Sequence, residues 1–227
     1  MKDATTQPEK RRAIFLDRDG TLNEEVGYLR SLADLRFCAG ALEAVRLINE
    51  AGWLAIVLTN QSGVARGLFP ETFIGEVHAE MQLRLQLGGA HLDAVYACPH
   101  LPPEEGQRDS ETARQRDGKT LRQYRIECDC RKPKPGLIRR AVADFGIDVM
   151  RSFVIGDRYR DVEMGHNAGT QSGLVLTGYG REEYAQRAHW PRQPEFVAAT
   201  VLEAVQTILK WDALALNPQA AIEPCVF

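Results

Sequence analysis

The feature that most constrains the fold of this chain is a set of short apolar runs, each ending abruptly in polar residues. The three clearest runs occupy residues 12–17, 53–58 and 152–156. Runs this short and apolar are typical of parallel strands buried on both faces. The polar residues at their carboxyl ends are Asp17, Thr59, Asn60 and Asp157. Ligands bind at that edge of open parallel sheets, so the pattern predicts a site there.

Helical segments alternate with the strands. Apolar spacing and glycine stops predict helices over residues 40–51, 70–87 and 135–145, a short helix from residue 161, and a last strand and helix within 195–210. Further strands are expected at 92–97 and 173–176. The alternation predicts an α/β fold with a doubly wound, mostly parallel sheet. We expect a single domain over residues 1–210 and a tail without clear periodicity over residues 211–227.

Two acids follow the first strand. Asp17 and Asp19 lie two residues apart, so an extended backbone points both carboxylates to the same side, and Gly20 permits a sharp turn. Two close carboxylates repel each other, and a divalent cation relieves that repulsion. Asp157 and Asp161 could add oxygen ligands, which suit Mg²⁺. The alternative is that Asp-x-Asp-Gly is only a turn, since both residue types favour turns.

Residues 98–134 are polar and lack apolar periodicity, and a structureless segment this long needs an explanation in a compact domain. Cys98 and His100 stand at one side of it and Cys128 and Cys130 at the other, with 27 residues between (128 − 100 − 1). Three cysteines and one histidine form a closed tetrahedral zinc set. We therefore expect a structural Zn²⁺ that pins a loop insertion at residues 98–130. The alternative is two unrelated pairs of surface residues.

Composition excludes several classes of protein. Lysine and arginine number 28 against 31 acids, so the net charge of −3 gives no basic footprint for duplex nucleic acid. No window approaches the roughly 20 apolar residues of a membrane span, and the polar N-terminus lacks the apolar core of a signal peptide. We expect a cytoplasmic monomer without nucleic-acid or membrane partners. The odd cysteine count argues against a disulfide framework, and we interpret Cys38 and Cys225 as bystanders.

Four ordered motifs resemble those of the haloacid dehalogenase (HAD) superfamily of phosphatases. Over residues 13–161 they read IFLDRDGTLN, VLTNQSG, KPKP and IGDRYRD. The resemblance implies that Asp17 is a nucleophile that forms an aspartyl-phosphate, and that Asp19 acts as general acid and then general base. The implied phosphate-binding residues are Thr59, Asn60 and Lys132. The implied Mg²⁺ ligands are Asp17, the backbone carbonyl of Asp19, and Asp157.

Two residues within these motifs have open roles. The family pattern favours Lys132 over Lys134 for phosphate, and Lys134 is interpreted as a solvated surface lysine. Asp161 either binds the metal through water or caps the helix that follows it. We regard these two roles of Asp161 as equally supported by the sequence.

The cysteine–histidine pattern narrows the resemblance. The segments CPHLP, CDCRKPKPG and GVARGLF resemble the heptose 1,7-bisphosphate 7-phosphatases and the related histidinol-phosphatases. This implies a Mg²⁺-dependent phosphatase of lipopolysaccharide or glycan heptose synthesis without a large cap domain, whose substrate is a small phosphorylated sugar. Histidinol phosphate is the alternative substrate. A polynucleotide 3′-phosphatase and a non-catalytic zinc module fit the charge and the catalytic residues less well.

One segment departs from that subfamily. Residues 101–127 form a longer connection than expected and carry six basic residues, so the loop could alter substrate choice. Position in the sequence, together with the fit of a guanidinium to phosphate, suggests a set of substrate-binding candidates. These are Arg131, Arg66, Glu25, Tyr28 and Arg158.

Overall fold

Residues 10–103 and 122–216 are described in the computed structural model of this chain. Within them, six strands form one sheet in the order β3-β2-β1-β4-β5-β6, and every neighbouring pair is parallel. The strands are β1 (Ala13–Leu16), β2 (Leu54–Asn60), β3 (Ala94–Cys98), β4 (Phe153–Gly156), β5 (Gln171–Val175) and β6 (Phe196–Ala198). The predicted doubly wound parallel sheet is confirmed.

Helices cover both faces of the sheet. The α-helices are α1 (Ala41–Glu50), α2 (Glu71–Leu87), α3 (Gly136–Phe145), α4 (Tyr159–Ala168), α5 (Gly180–Ala185) and α6 (Val201–Leu216). Short 3₁₀ turns occur at Leu32–Asp34, Arg122–Tyr124, Val149–Arg151 and Arg187–His189. Alternate residues of each strand point to opposite faces, so Ile14 and Leu16 pack with α1, α2 and α6, whereas Phe15 packs with α3 and α4.

The strand order fixes where a site can form. The chain runs outward from β1 through β2 to β3, and then returns to the other side of β1 and runs through β4, β5 and β6. The direction of winding therefore reverses between β1 and β4. Crevices that hold ligands form beyond the carboxyl ends of the strands at such a reversal.

Most elements match the sequence prediction to within two residues, and the differences that matter lie in the C-terminal half. Helix α4 begins at Tyr159 rather than at residue 161, and the short helix α5 was not predicted. Helix α6 continues six residues past the predicted domain end at 210, because its last turns have partners in the domain. The Trp211 ring packs edge-on against Phe196 with centroids 5.3 Å apart, and Asp212 forms an ion pair with Arg12. Residues 211–216 therefore belong to the helix and not to a tail.

Some predictions fall on residues outside these ranges. Residues 104–121, which make up most of the expected loop insertion, and Cys225 are outside the described residues. The ends of that loop are described. Across residues 10–103 and 122–216, every helix is too short or too polar to span a membrane.

Candidate active site

The polar residues at the strand ends meet at one edge of the sheet. Because β1 lies between β2 and β4, Asp17 stands between the end of the strand that carries Thr59 and the end of the strand that precedes Asp157. A cavity of about 290 Å³ opens at this edge. The predicted residues in its lining are Asp17, Asp19, Thr59, Asn60, Lys132, Glu25, Tyr28, Arg66, Arg131 and Arg158. Asp157 is fully buried beside them.

Lys132 binds three acceptors in the floor of the cavity. Its Nζ lies 2.7 Å from Asp17 Oδ1 and 2.6 Å from Asp161 Oδ1, and it donates a 2.9 Å hydrogen bond to the carbonyl of Leu58. Burial acts to lower the pKa of Lys132, but the two carboxylates outweigh it and raise that pKa. The lysine is therefore a fixed positive charge beside Asp17, where transferred phosphate would carry negative charge.

The same ion pair shows what Asp161 does. Its Oδ2 accepts a hydrogen bond from the backbone N–H of Arg158 at 3.1 Å, which caps α4, while Oδ1 pairs with Lys132. The helix-cap role is thus observed, joined to a second role as lysine partner. Lys134 points elsewhere: it is half exposed and pairs with Glu127 at 3.0 Å, as expected of a surface lysine.

Asp19 has polar partners of its own. Arg18, whose side chain is fully buried, donates to both carboxylate oxygens of Asp19 at 2.8–3.1 Å. Asn23 donates to it at 2.9 Å and Gln61 at 2.8 Å. Burial acts to raise the pKa of Asp19, but the charge of Arg18 and the amide donors outweigh it and lower that pKa. The carboxylate is therefore stabilised in its ionised form, as a general base requires.

Gln61 was missed by the sequence analysis, although it lies inside the second motif. Its amide donates both to Asp19 and to the hydroxyl of Thr59, each at 2.8 Å. One side chain thus links the candidate acid–base residue to the candidate phosphate-binding residue. Its position directly after Thr59 and Asn60 was the available signal.

Three carboxylates crowd the space beside Lys132 and favour a cation. One oxygen each of Asp17, Asp157 and Asp161 lies within 4.8 Å of the others. Asp157 Oδ1 is buried and has no hydrogen-bond partner among the described residues, whereas Oδ2 accepts from the N–H of Tyr179 at 2.8 Å. Burial raises the pKa of Asp17 to about 7, against the effect of Lys132. Burial and then the neighbouring carboxylates raise the pKa of Asp157 to about 8.

An orphaned oxygen among crowded acids is the environment that a hard divalent ion stabilises. The residues present therefore fit Mg²⁺. Asp17 and Asp157, two of the predicted ligands, belong to this group, whereas the side chain of Asp19 faces Arg18. The backbone carbonyl of Asp19, the ligand that the resemblance implies, stays a prediction.

Two glycines allow the backbone to close on Asp157. A Cβ at Gly20 or at Gly178 would lie 2.2 Å from Asp157 Oδ2, a distance that no side chain can adopt. Both glycines also have positive φ, +82° at Gly20 and +51° at Gly178, which disfavours other residues. The loop after β5 and the turn after Asp17 can therefore both contact the buried carboxylate.

The predicted zinc ligands come together at the carboxyl end of β3. Cys98 Sγ lies 3.1 Å from Cys130 Sγ and 3.7 Å from Cys128 Sγ, and His100 Nδ1 lies 3.2 Å from Cys130 Sγ. All four ligand atoms lie within 4.8 Å of one another. A tetrahedral Zn²⁺ with Zn–S bonds of about 2.3 Å separates its sulfur ligands by about 3.8 Å. The three observed sulfur–sulfur distances, 3.1, 3.4 and 3.7 Å, are shorter than this by up to about 0.7 Å, so the ligands would have to spread to hold the ion, with His100 coordinating through Nδ1.

This cluster adjoins the cavity. Arg131, which lies between Cys130 and Lys132, donates from Nη1 to the carbonyl of His100 at 3.2 Å. On the other side, Leu101 donates to the carbonyl of Tyr124, and the hydroxyl of Tyr124 donates to Glu71 at the start of α2. The two described ends of the loop are therefore joined to each other and to the wall of the cavity.

Four arginine side chains line the cavity and form an arginine wall beside its acidic residues. Besides the predicted Arg66, Arg131 and Arg158, the lining includes Arg160, which the sequence analysis missed. The motif IGDRYRD contained the signal, since Arg160 follows Arg158 by two residues. Tyr179 was also missed, because its place in the lining depends on the turn after β5 that the prediction did not resolve.

Comparison with known proteins gives one family. Residues 129–204 match the HAD-hydrolase-like family. A heptose-1,7-bisphosphate 7-phosphatase of Thermosynechococcus vestitus is 37% identical over 199 residues, which cover 87% of this chain and 95% of that protein. The chain belongs to the HAD family of phosphatases. A second relative, the 7-phosphatase of Rhodopseudomonas palustris, is 40% identical over 165 residues, which cover 73% of this chain and 83% of that protein.

A solved structure of a similar protein has the same overall fold. The D,D-heptose 1,7-bisphosphate phosphatase of B. bronchiseptica, crystallised with magnesium and phosphate, superposes with a TM-score of 0.73 at 30% identity. The match covers 88% of this chain and 99% of that one. HAD phosphatases use Mg²⁺, in agreement with the cation site inferred from the buried acids.

Proposed function

We propose that this HAD phosphatase removes the 7-phosphate of D-glycero-D-manno-heptose 1,7-bisphosphate through a phosphorylated Asp17. The observation that carries the chemistry is the 2.7 Å contact between Asp17 and the buried Lys132, next to the carboxylates that fit Mg²⁺. The relatives named as heptose bisphosphate 7-phosphatases support the substrate.

The reaction divides into two displacements at one phosphorus atom. In the first, an oxygen of Asp17 bonds to phosphorus while the bond from phosphorus to the sugar oxygen breaks, and Asp19 gives that oxygen a proton. In the second, Asp19 takes a proton from water, whose oxygen displaces Asp17 and releases inorganic phosphate. Lys132 and Thr59 bind the phosphoryl oxygens. Asp17, Asp157 and the carbonyl of Asp19 would hold Mg²⁺, which would supply positive charge to offset the negative charge of the transferred group.

The contacts of Asp19 bear on its two roles unequally. Arg18, Asn23 and Gln61 stabilise the carboxylate, which supports the base step. Proton donation in the first step works against the same contacts. We therefore expect the first displacement to be slower for a sugar alkoxide, which needs a proton from Asp19, than for p-nitrophenolate, which leaves without one.

Positive charge favours a substrate with a second anionic group. Arg66, Arg131, Arg158 and Arg160 line the cavity around the lysine. Guanidinium groups match phosphate geometry and bind it in bidentate fashion. A sugar bisphosphate offers one phosphate for Asp17 and another for this wall. A monophosphate with a cationic end, such as histidinol phosphate, would place that end among arginines.

We further propose that Cys98, His100, Cys128 and Cys130 hold a structural Zn²⁺. Four ligands fill a tetrahedral site and leave no open position for catalysis. The contact from Arg131 to the carbonyl of His100 supports a structural role, because it links the zinc cluster to the residue before Lys132. Zinc would therefore keep Arg131 and Lys132 in place at the cavity.

A phosphate-release assay with Mg²⁺ tests the proposed substrate. The panel contains heptose 1,7-bisphosphate, histidinol phosphate and a 3′-phosphorylated oligonucleotide. We expect the highest kcat/KM for the heptose bisphosphate, because only this substrate pairs the reacting phosphate with a second one on a small sugar. Preferred turnover of histidinol phosphate or of the oligonucleotide would refute the heptose assignment and retain the phosphatase chemistry.

A further inference from the structure

The turn after β5 touches both the metal-site acid and the arginine wall. Tyr179 lies in this turn and lines the cavity. Its backbone N–H donates to Asp157 Oδ2 at 2.8 Å. Its ring lies under the guanidinium of Arg158, with Cζ 3.6 Å from the ring centroid. One residue therefore contacts a candidate Mg²⁺ ligand through its backbone and a candidate substrate-binding residue through its side chain.

The backbone of Arg158 sets where its side chain starts. Arg158 directly follows Asp157 and has an extended conformation, φ −123° and ψ 150°, at the N-cap of α4. Its N–H donates to Asp161 Oδ2, so the backbone is fixed by the same acid that pairs with Lys132. The long side chain itself is half-buried and has several rotatable bonds. A stacked ring restricts those bonds, and it leaves the guanidinium edge available for hydrogen bonds.

Hydrogen bonds also fix the turn that carries Tyr179. Thr177 donates its hydroxyl to the carbonyl of Gly20, and Gly178 has no Cβ to collide with Asp157. At the other end, Tyr159 donates its backbone N–H to Glu183 of α5 at 3.3 Å. The turn that carries the ring of Tyr179 is therefore held at both ends. A residue that positions another side chain requires such support.

We propose that Tyr179 is a positioning residue for substrate recognition: its ring holds Arg158 against the cavity, where the guanidinium binds the anionic group that the substrate carries away from the reacting phosphate. This inference rests on the proposed function and names a determinant of its specificity. Tyr179 itself does not touch the reacting atoms. Its contribution reaches the substrate through Arg158.

Two matched substrates separate recognition from chemistry. Heptose 1,7-bisphosphate has the second phosphate, and heptose 7-phosphate lacks only that group. Tyr179→Leu removes the ring, and we expect it to raise the KM for the bisphosphate roughly 2- to 30-fold, the range of a cation–π contact. The KM for the monophosphate should change far less. Tyr179→Phe keeps the ring and should restore most of the affinity for the bisphosphate.

A second variant and a control complete the test. Arg158→Gln should raise the KM for the bisphosphate about tenfold or more, as loss of a charge-assisted hydrogen bond does. Adding Tyr179→Leu to Arg158→Gln should not raise the KM for the bisphosphate any further, because the ring acts only through the arginine. Tyr184→Leu is the matched control: Tyr184 carries Arg187 4.3 Å above its ring in the same region and does not line the cavity.

Several results would overturn the inference. The first is that the increases in KM from Tyr179→Leu and Arg158→Gln add up in the double variant. The second is that Tyr179→Leu raises the KM equally for the bisphosphate and the monophosphate. The others are that Tyr179→Leu leaves the KM for the bisphosphate unchanged, or that Tyr179→Phe does not restore it. Wild-type protein that ignores heptose bisphosphate but hydrolyses another sugar bisphosphate would refute the proposed substrate alone, and the same variants would then be compared on that sugar. Wild-type protein with no preference for any bisphosphate over its monophosphate would overturn the inference as well.

Discussion

Lys132→Met is the substitution whose cost follows most directly from the structure. It removes the cation that lies within 2.7 Å of both Asp17 and Asp161 and leaves a side chain of similar length. All three residues are buried, and the carbonyl of Leu58 loses its donor as well. Deleting one partner of a buried ion pair costs about 3–5 kcal/mol, because the remaining charge is uncompensated.

The loss of stability in Lys132→Met depends on pH, and the direction of that dependence follows from the pKa of Asp17. Burial raises the pKa of Asp17 to about 7, and Lys132 acts against that rise. Without the lysine, the pKa rises further, so the folded protein binds more protons than the unfolded chain and loses stability as pH increases. We expect a loss of about 3–5 kcal/mol at pH 8. At pH 6 Asp17 is protonated in the variant, so its contribution to the loss is small, and about 1–3 kcal/mol remains from the unpaired Leu58 carbonyl.

Urea unfolding without added Mg²⁺ measures these values, since bound Mg²⁺ would replace part of the missing charge. Lys134→Met is the matched control, because Lys134 is an exposed lysine two residues away that pairs with Glu127. This control should unfold as the wild type does at both pH values. A loss for Lys132→Met that is equal at pH 6 and pH 8, or no loss at pH 8, would refute the account of the buried charges.

Three further predictions concern the acid–base residue, the turn after β5 and the zinc cluster. Asp19→Asn should lower kcat/KM more for a sugar phosphate than for p-nitrophenyl phosphate, whose leaving group needs no proton; equal losses would argue against an acid role. Gly178→Ala should abolish most phosphatase activity, because its Cβ would strike a metal-site carboxylate at 2.2 Å, whereas Gly75→Ala has open space and should not. Elemental analysis should find about one zinc per chain, lost in Cys128→Ser and kept in Cys38→Ser; a zinc-free wild type that still folds would refute the site.

The sequence predicted the sheet well because a buried parallel strand leaves a strong local signal. Each apolar run became a strand, and the polar residue at its end reached the site. The alternation with helices predicted that the sheet is parallel and doubly wound, but the order of its strands came only from the structure. The short helix α5 has only six residues and no apolar period of its own, so it left no comparable signal.

The side-chain partners of the site could not be predicted in the same way. The four HAD motifs identified Asp19 and Lys132, but not that Arg18 would hold Asp19 or that Asp161 would pair with Lys132. Such choices depend on rotamers and on contacts between distant segments. The stack of Arg158 on Tyr179 is of this kind, since 20 residues separate the two (179 − 158 − 1).

The C-terminal end of helix α6 is another feature that the sequence pattern did not predict. Residues 211–216 have no strong helical period, yet the helix continues because Trp211 packs on Phe196 and Asp212 pairs with Arg12. Tertiary contacts stabilise these last turns, and local propensity does not report them. A boundary set by packing is therefore the kind of detail that sequence patterns miss.

Trapping of the phosphorylated enzyme measures the proposed aspartyl-phosphate itself. Protein mixed with Mg²⁺ and heptose 1,7-bisphosphate is quenched in acid and digested, and the peptide that contains Asp17 is measured by mass spectrometry. We expect one phosphoryl group on Asp17. With p-nitrophenyl phosphate, whose leaving group needs no proton, we expect a higher occupancy in Asp19→Asn, because the base for hydrolysis is missing. Asp17→Asn should carry no phosphoryl group and show no turnover. An active Asp17→Asn variant, or a phosphoryl group on another residue, would contradict the account.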